Sequence, residues 1–257
     1  MTVKQMSRVG FLTAVPSIAA ARTADTTTTR AAAGMDSVRN VLNPLLHAEQ
    51  IAAAFYYAAL TSPLVMRSPA LSGPSASAIH PALPPHGKPA NVRYLQAALD
   101  AEVKHAAAVV DGGAVAPLRH VYFPVVTFQG LGSLSNPNSF LGMMQTLETI
   151  CVSAYIVAAR EFLAIGRPDL AGVAAQIMGV ESEHRMLGRA IAGSLPANDL
   201  TLQPVEFSSV REVVDALRQF ESGHGFAVAQ SAHAVPSAAQ AARVVGKHGT
   251  RLVTKFL

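Results

Sequence analysis

The sequence predicts an all-α protein whose core is a four-helix bundle with a long connection between the second and third helices. Half of the 257 residues are hydrophobic and only 14% are charged, so the chain can bury one sizeable core. Alanine-rich stretches recur with helical periodicity, and strands have little support outside residues 121–128. We therefore expect a single helical domain with tails.

The first predicted helix carries one charged residue in an otherwise apolar stretch. We expect it over residues 36–61 or 43–61, because Pro44 fits the first turn of the shorter helix but would kink the longer one. Glu49 is the only charge between residues 41 and 60. A carboxylate among apolar side chains is costly unless something pairs with it, and no lysine or arginine shares this face.

The second predicted helix carries a Glu-x-x-His pair. Seven prolines in residues 62–89 predict a long loop, and residues 90–110 then form the helix, which an Asp-Gly-Gly sequence ends. Glu102 and His105 are three residues apart, so both side chains project from one helix face. The next connection, residues 114–136, is long enough to cross the full length of a bundle.

The third and fourth predicted helices repeat this arrangement. Residues 137–165 form the third helix, in which Glu148 is the only charge of the apolar stretch. A tight turn leads to the fourth helix over residues 167–192, so these two helices should be antiparallel neighbours. The fourth helix carries Glu181 and His184, again three residues apart on one face.

These polar residues together predict a dinuclear metal centre inside the bundle. The six candidate ligands lie on core faces near the middle of their helices: Glu49, Glu102, His105, Glu148, Glu181 and His184. Four carboxylates and two divalent cations make a neutral site. Oxygen and imidazole ligands suit two iron or manganese ions, with zinc as a substitute. The alternative is a helical bundle in which these core polar residues occur by chance.

A tyrosine follows each lone glutamate by seven residues. Tyr56 follows Glu49 and Tyr155 follows Glu148, so the half-repeat extends beyond the candidate ligands. Each tyrosine could hydrogen-bond a ligand carboxylate or serve as an electron donor near the metals. The alternative, a core tyrosine that fills the next layer of the bundle, is at least as well supported.

Several stretches resemble the ferritin-like superfamily, and most closely its extracytoplasmic branch, which includes the desiccation-related proteins. The stretches are AEQIAAAFYYAAL, DAEVKHAAAV, LETICVSAYIVAA and MGVESEHRMLGRAI, together with YFPVVTF and LPANDLTL. They span about residues 36–215. The resemblance implies an up-down-down-up bundle with a di-iron or di-manganese site on the same six residues. Cys151 stands where the family usually has Gly or Ala. The sequence leaves open whether it is a buried inert thiol or a redox-active one.

The N-terminal segment predicts export. Lys4 and Arg8 precede an apolar run over residues 9–21, which ends in small residues suited to cleavage and is too short to span a bilayer. The segment also resembles a twin-arginine signal in which Val9 replaces the second arginine. We expect a periplasmic or extracellular protein, with a cytoplasmic protein that has an alanine-rich arm as the alternative.

Three regions follow from these patterns. Residues 1–35 form the candidate export signal and a flexible lead-in, residues 36–195 the bundle, and residues 196–257 a C-terminal extension. Within that extension we expect a short helix over residues 208–221 and a basic helix over residues 236–257. The net charge of +4 lies entirely in this last stretch, which argues against a nucleic-acid partner.

Four functions compete at this point. The centre could run redox chemistry with dioxygen or peroxide, oxidise and store iron in a cage, or act as a metal staple in a non-catalytic stress or desiccation-related protein. A fourth interpretation makes the first and third helices membrane spans, but a glutamate at the middle of each counts against it. We expect no integral membrane span in the mature protein, and a homo-oligomer is left open.

Overall fold

Long helices make up most of this protein, which confirms the predicted all-α class. A computed structural model describes residues 27–72, 87–194, 196–223 and 228–251. The candidate export signal lies outside these residues. The described residues contain seven helices and two strands: α1 (Thr27–Thr61), α2 (Pro63–Arg67), α3 (Gly87–Asp111), β1 (His120–Pro124), α4 (Phe140–Ala164), α5 (Pro168–Ile191), α6 (Val210–Glu221), β2 (Gln230–Ala234) and α7 (Ala238–Val245).

Two antiparallel helix pairs form the bundle. Helices α1 and α3 pack together, and Gly112 at the end of α3 lies against Leu42 in the first half of α1. Helices α4 and α5 form the second pair, in which Gly188 near the end of α5 lies against Met144 near the start of α4. The segment between α3 and α4 joins the two pairs, as the predicted long connection requires.

Helix α1 begins earlier than either predicted start. It starts at Thr27, and Pro44 lies inside it. A proline in a helix costs one backbone hydrogen bond, but Val41, Leu42 and Leu45 are buried on either side of it. Tertiary packing therefore holds the helix together through the proline.

Other element boundaries also differ from the predictions. The proline-rich stretch after α1 is not entirely loop, because it contains α2, whose first turn is capped by the Ser62 side chain, and a 3-10 turn at Pro69–Ser72. Helix α4 begins at Phe140 rather than residue 137, since Ser139 caps it by accepting from the Gly142 amide. The expected basic helix over residues 236–257 is shorter: α7 ends at Val245, and the φ of 59° at Gly246 turns the chain away.

A small antiparallel sheet lies at one end of the bundle. The strand expected near residues 121–128 is β1, which gives way to a 3-10 turn at Val125–Phe128. Its partner β2 has no counterpart in the predictions. The sheet packs over an aromatic cluster centred on Phe55, whose ring stacks on Phe140 with centroids 5.0 Å apart. The other rings in contact with Phe55 belong to Tyr56, Phe123, Phe128 and Phe220.

Helix α4 is the most apolar of the bundle helices. Among the described helices it is the one that length and composition would allow to cross a membrane, yet 78% of its most apolar window is buried inside the bundle. The same helix carries Glu148, which is fully buried. These properties fit the central helix of a packed core.

Candidate metal centre

All six candidate ligands meet in the middle of the bundle. The four carboxylates, Glu49, Glu102, Glu148 and Glu181, are 0% exposed. The side chains of His105 and His184 are 12% and 9% exposed. Of these six side chains, only the two histidines are therefore in contact with solvent. Each of the four long helices contributes at least one ligand from its core face.

The direction of α3 and α5 brings the two Glu-x-x-His pairs face to face. His184 Nδ1 lies 2.7 Å from Glu102 Oε1, and His105 Nδ1 lies 2.8 Å from Glu181 Oε1. Because the helices run in opposite directions, the glutamate of each pair lies level with the histidine of the other. Each of these two glutamates also approaches the histidine of its own helix, at 3.7 Å and 3.6 Å.

The ligand atoms fall into two overlapping groups. Glu49, Glu102, His105 and Glu181 form one, and Glu102, Glu148, Glu181 and His184 form the other, with the atoms of each group within 4.8 Å of one another. Glu102 and Glu181 belong to both groups. Each group combines one imidazole with three carboxylates, which is a hard oxygen and nitrogen set able to hold a metal ion.

The cluster contains eight buried polar atoms that have no hydrogen-bond partner within the described part of the chain. They are both carboxylate oxygens of Glu102 and Glu181, Oε2 of Glu49 and Glu148, and Nδ1 of His105 and His184. Buried polar atoms normally find partners, because each unsatisfied group costs about 1–3 kcal/mol. The nitrogens come close to the oxygens without hydrogen-bond geometry, so these atoms converge on common positions rather than on each other.

Two tyrosines hold the remaining carboxylate oxygens. The Tyr56 hydroxyl donates to Glu148 Oε1, and the Tyr155 hydroxyl donates to Glu49 Oε1. These contacts cross between the antiparallel helices α1 and α4, so each tyrosine supports the glutamate of the other half-repeat. The sequence predicted that each tyrosine could bind a ligand carboxylate, and the structure shows which carboxylate each one reaches.

Burial and the neighbouring charges shift the pKa values of the cluster in opposite directions. Burial, with the charge of Glu181 added, raises the pKa of Glu49 and of Glu148 well above the ordinary range. Burial also favours neutral Glu102 and Glu181, but the adjacent histidines outweigh it and lower the pKa of both carboxyls.

The histidines shift the other way. Burial alone would lower the pKa of His105 and His184, but the carboxylates beside them raise both values well above the ordinary range. In metal-free protein the directions of these shifts favour two imidazolium cations, two carboxylates and two neutral carboxyl groups. In that arrangement the buried charges cancel.

The sequence predicted the six residues but not which of them belong to both ligand groups. The shared position of Glu102 and Glu181 follows from the opposite directions of α3 and α5. These opposite directions follow from the predicted topology of the bundle, but not from the spacing of residues within one helix. The structure also places Cys151 in the core on the same helix as Glu148, where it is 0% exposed.

The comparisons with known proteins agree with this architecture. A family model described as a ferritin-like domain matches residues 37–194, which span all four bundle helices and all six candidate ligands. Searches among curated proteins and among solved structures find no significant match. The helical bundle, its long connection and the match over more than half of the chain lead to one conclusion: the protein belongs to the ferritin-like domain family.

Proposed function

We propose that the cluster binds two iron or manganese ions and that the loaded protein carries out redox chemistry with dioxygen or peroxide. The observation that supports this proposal is the set of eight converging, unpartnered ligand atoms. If Glu102 and Glu181 each give one oxygen to each of the two ions, every ion receives one imidazole nitrogen and three carboxylate oxygens. The ions would supply the electrons and the Lewis acidity for activating the oxidant.

The donor set favours iron or manganese with open coordination positions over a structural metal whose positions are all filled by the protein. Iron and manganese accept about six ligands, so four protein donors leave positions for a small molecule on each ion. Zinc also fits four such donors and is a plausible substitute. The two tyrosines fix the terminal carboxylates: each hydroxyl proton lies at one oxygen of Glu49 or Glu148 and leaves the other oxygen for an ion.

Metal stoichiometry tests the two-ion proposal. Metal-free protein is loaded with Fe(II) or Mn(II), and bound metal is measured by elemental analysis after desalting. We expect about two ions per chain, loss of both in Glu102→Gln or Glu181→Gln, and loss of one in Glu49→Gln or Glu148→Gln. Glu183→Gln is the matched control, because Glu183 lies beside the ligands on α5 but is exposed.

Two results would refute the site as proposed. The first is one ion or none in the folded wild-type protein. The second is equal metal loss in the variants of shared and terminal glutamates, because only Glu102 and Glu181 belong to both ligand groups. Circular dichroism of every variant shows that lost metal does not simply reflect lost fold.

Oxidant consumption tests the chemistry separately. Iron-loaded protein should consume dioxygen or peroxide, and the Glu102→Gln variant should not. A fully loaded protein that is inert to both oxidants would refute the redox proposal while leaving metal binding intact.

The alternative to catalysis is a metal that only staples the bundle. Complete burial of all four carboxylates favours this alternative, because a structural site needs no access for substrate. A staple should raise the melting temperature on loading and remain inert to both oxidants. The two assays above therefore separate the two functions.

We further propose that the protein is exported and belongs to the extracytoplasmic, desiccation-related branch of the family. The support is the basic and apolar pattern around Lys4, Arg8 and residues 9–21, together with the quoted resemblance. Fractionation of cells and N-terminal sequencing of the recovered protein test export. Full-length protein found only in the cytoplasm would contradict it.

A further inference from the structure

The single cysteine of the chain faces the candidate metal centre. Cys151 lies three residues after Glu148 on α4, so the two side chains share a helix face, and the thiol is 0% exposed. Along α4, Cys151 lies between Glu148, which accepts from Tyr56, and Tyr155, which donates to Glu49. Cys151 therefore lies at the level of the cluster, between its two terminal glutamates.

The side of the centre formed by α1 and α4, where Cys151 lies, supplies the fewest ligand atoms. Helices α3 and α5 contribute six of the eight unpartnered atoms, whereas α1 and α4 contribute one oxygen each, from Glu49 and Glu148. A small molecule that binds an ion would therefore meet fewer competing ligand atoms on the α1 and α4 side. The two half-repeats differ there, because Ala52 holds the position in α1 that Cys151 holds in α4.

The surroundings make this thiol a poor target for oxidants from bulk solution. Burial raises the pKa of Cys151 well above its ordinary value, and the charge of Glu181 raises it further. Thiolates react with peroxide, whereas protonated thiols react slowly. Oxidation of Cys151 in the folded protein therefore needs an oxidant that enters the core, because the side chain is 0% exposed.

We propose that Cys151 is a built-in oxidation site, at which peroxide admitted to the metal-loaded centre converts the thiol to a sulfenic acid. In this step the O–O bond of hydrogen peroxide breaks and one oxygen, with its hydrogen, bonds to Sγ. The other oxygen takes the thiol proton and leaves as water. Sulfur loses two electrons and peroxide gains them. The inference rests on the proposed two-metal site and assigns it a target within the chain.

Mass spectrometry of the whole protein tests the proposal. Metal-free and Fe(II)-loaded protein receive two equivalents of hydrogen peroxide, because oxidation of two Fe(II) ions to Fe(III) consumes the first, and dimedone traps any sulfenic acid. Because the chain has one cysteine, modification at sulfur is read as a single mass shift and located by peptide mapping. We expect at least about tenfold more Cys151 modification in the loaded wild-type protein than in metal-free protein.

Two variants make the experiment specific. Glu102→Gln keeps the cysteine but removes a shared ligand, so it should behave like metal-free protein. Cys151→Ala should show no trapped product, which excludes modification of other residues. Equal modification with and without iron, or an unmodified thiol in protein that consumes peroxide, would overturn the inference. Failure to bind iron or to consume peroxide would instead overturn the proposed function, and this inference with it.

Discussion

Metal binding to the buried cluster should release about four protons for each pair of ions. Without metal, the raised pKa values of His105 and His184 give two positive charges, and the lowered values of Glu102 and Glu181 give two negative ones. Glu49 and Glu148 hold protons because their pKa values are raised. The loaded site has four carboxylates, two neutral imidazoles and two divalent ions, so four protons must leave.

The magnitude follows from linkage. Each proton released on binding makes the apparent association constant rise about tenfold per pH unit, so four protons give about 10⁴-fold for the pair of ions. This corresponds to about 5.4 kcal/mol per pH unit while all four groups remain protonated in the metal-free protein. A surface site of ionised carboxylates would show almost no such dependence.

Titration calorimetry measures the proton count directly. Mn(II) is titrated into metal-free protein in buffers that differ in heat of ionisation, and the slope of the observed heat against that quantity gives the protons released. Glu49→Gln should lower the count by about two, because the Glu49 proton is absent and, with one ion lost, His105 keeps its proton. Glu183→Gln should leave it unchanged, because that side chain is exposed and outside the cluster.

One result would refute the charge assignment. Release of about two protons or fewer near neutral pH would mean that Glu49 and Glu148 are already ionised in the metal-free protein. The cluster would then carry excess negative charge without metal, contrary to the raised pKa values of these two carboxyls.

Three further outcomes are expected. The raised pKa values of Glu49, Glu148 and the two histidines stabilise the metal-free fold at pH values below the pKa values of these groups in the unfolded chain. The melting temperature of metal-free protein should therefore fall as the pH rises through the pKa values of the folded state, whereas that of metal-loaded protein should not. Tyr56→Phe and Tyr155→Phe should each cost about 1–3 kcal/mol in urea denaturation, by leaving a buried carboxylate oxygen without its donor; unchanged stability in both would contradict those contacts. Phe55→Ala should cost about 3–5 kcal/mol, because four phenylalanine rings pack around it, and a loss below about 1 kcal/mol would argue against that cluster.

Local signals in the sequence were enough to predict the bundle helices and the six clustered residues. The lone Glu49 and Glu148 stood out because each is the only charge in an apolar stretch of its helix, residues 41–60 and 140–159. The pairing of β1 with β2 was missed because it joins segments about a hundred residues apart, and neither strand has an alternation strong enough to identify its partner. Pro44 left two starts open for α1, and the structure shows that the helix continues through the proline, where Val41, Leu42 and Leu45 are buried.

The sharing of two glutamates depends on both spacing and direction. In antiparallel α3 and α5, the order Glu-x-x-His puts Glu102 level with His184 and His105 level with Glu181. Each shared carboxylate thereby meets both histidines. Reversing the order on one helix would instead place glutamate opposite glutamate and histidine opposite histidine, although no ligand would be lost.

The double substitution Glu181→His with His184→Glu tests this geometric requirement. It keeps the composition, the charge and the helix face of the site, so a cluster that binds metal by its ligand inventory alone would still hold two ions. We expect binding of at most one ion, because no carboxylate then lies between the two imidazoles. Two ions bound with unchanged affinity would show that the antiparallel register of α3 and α5 does not determine how the site is built.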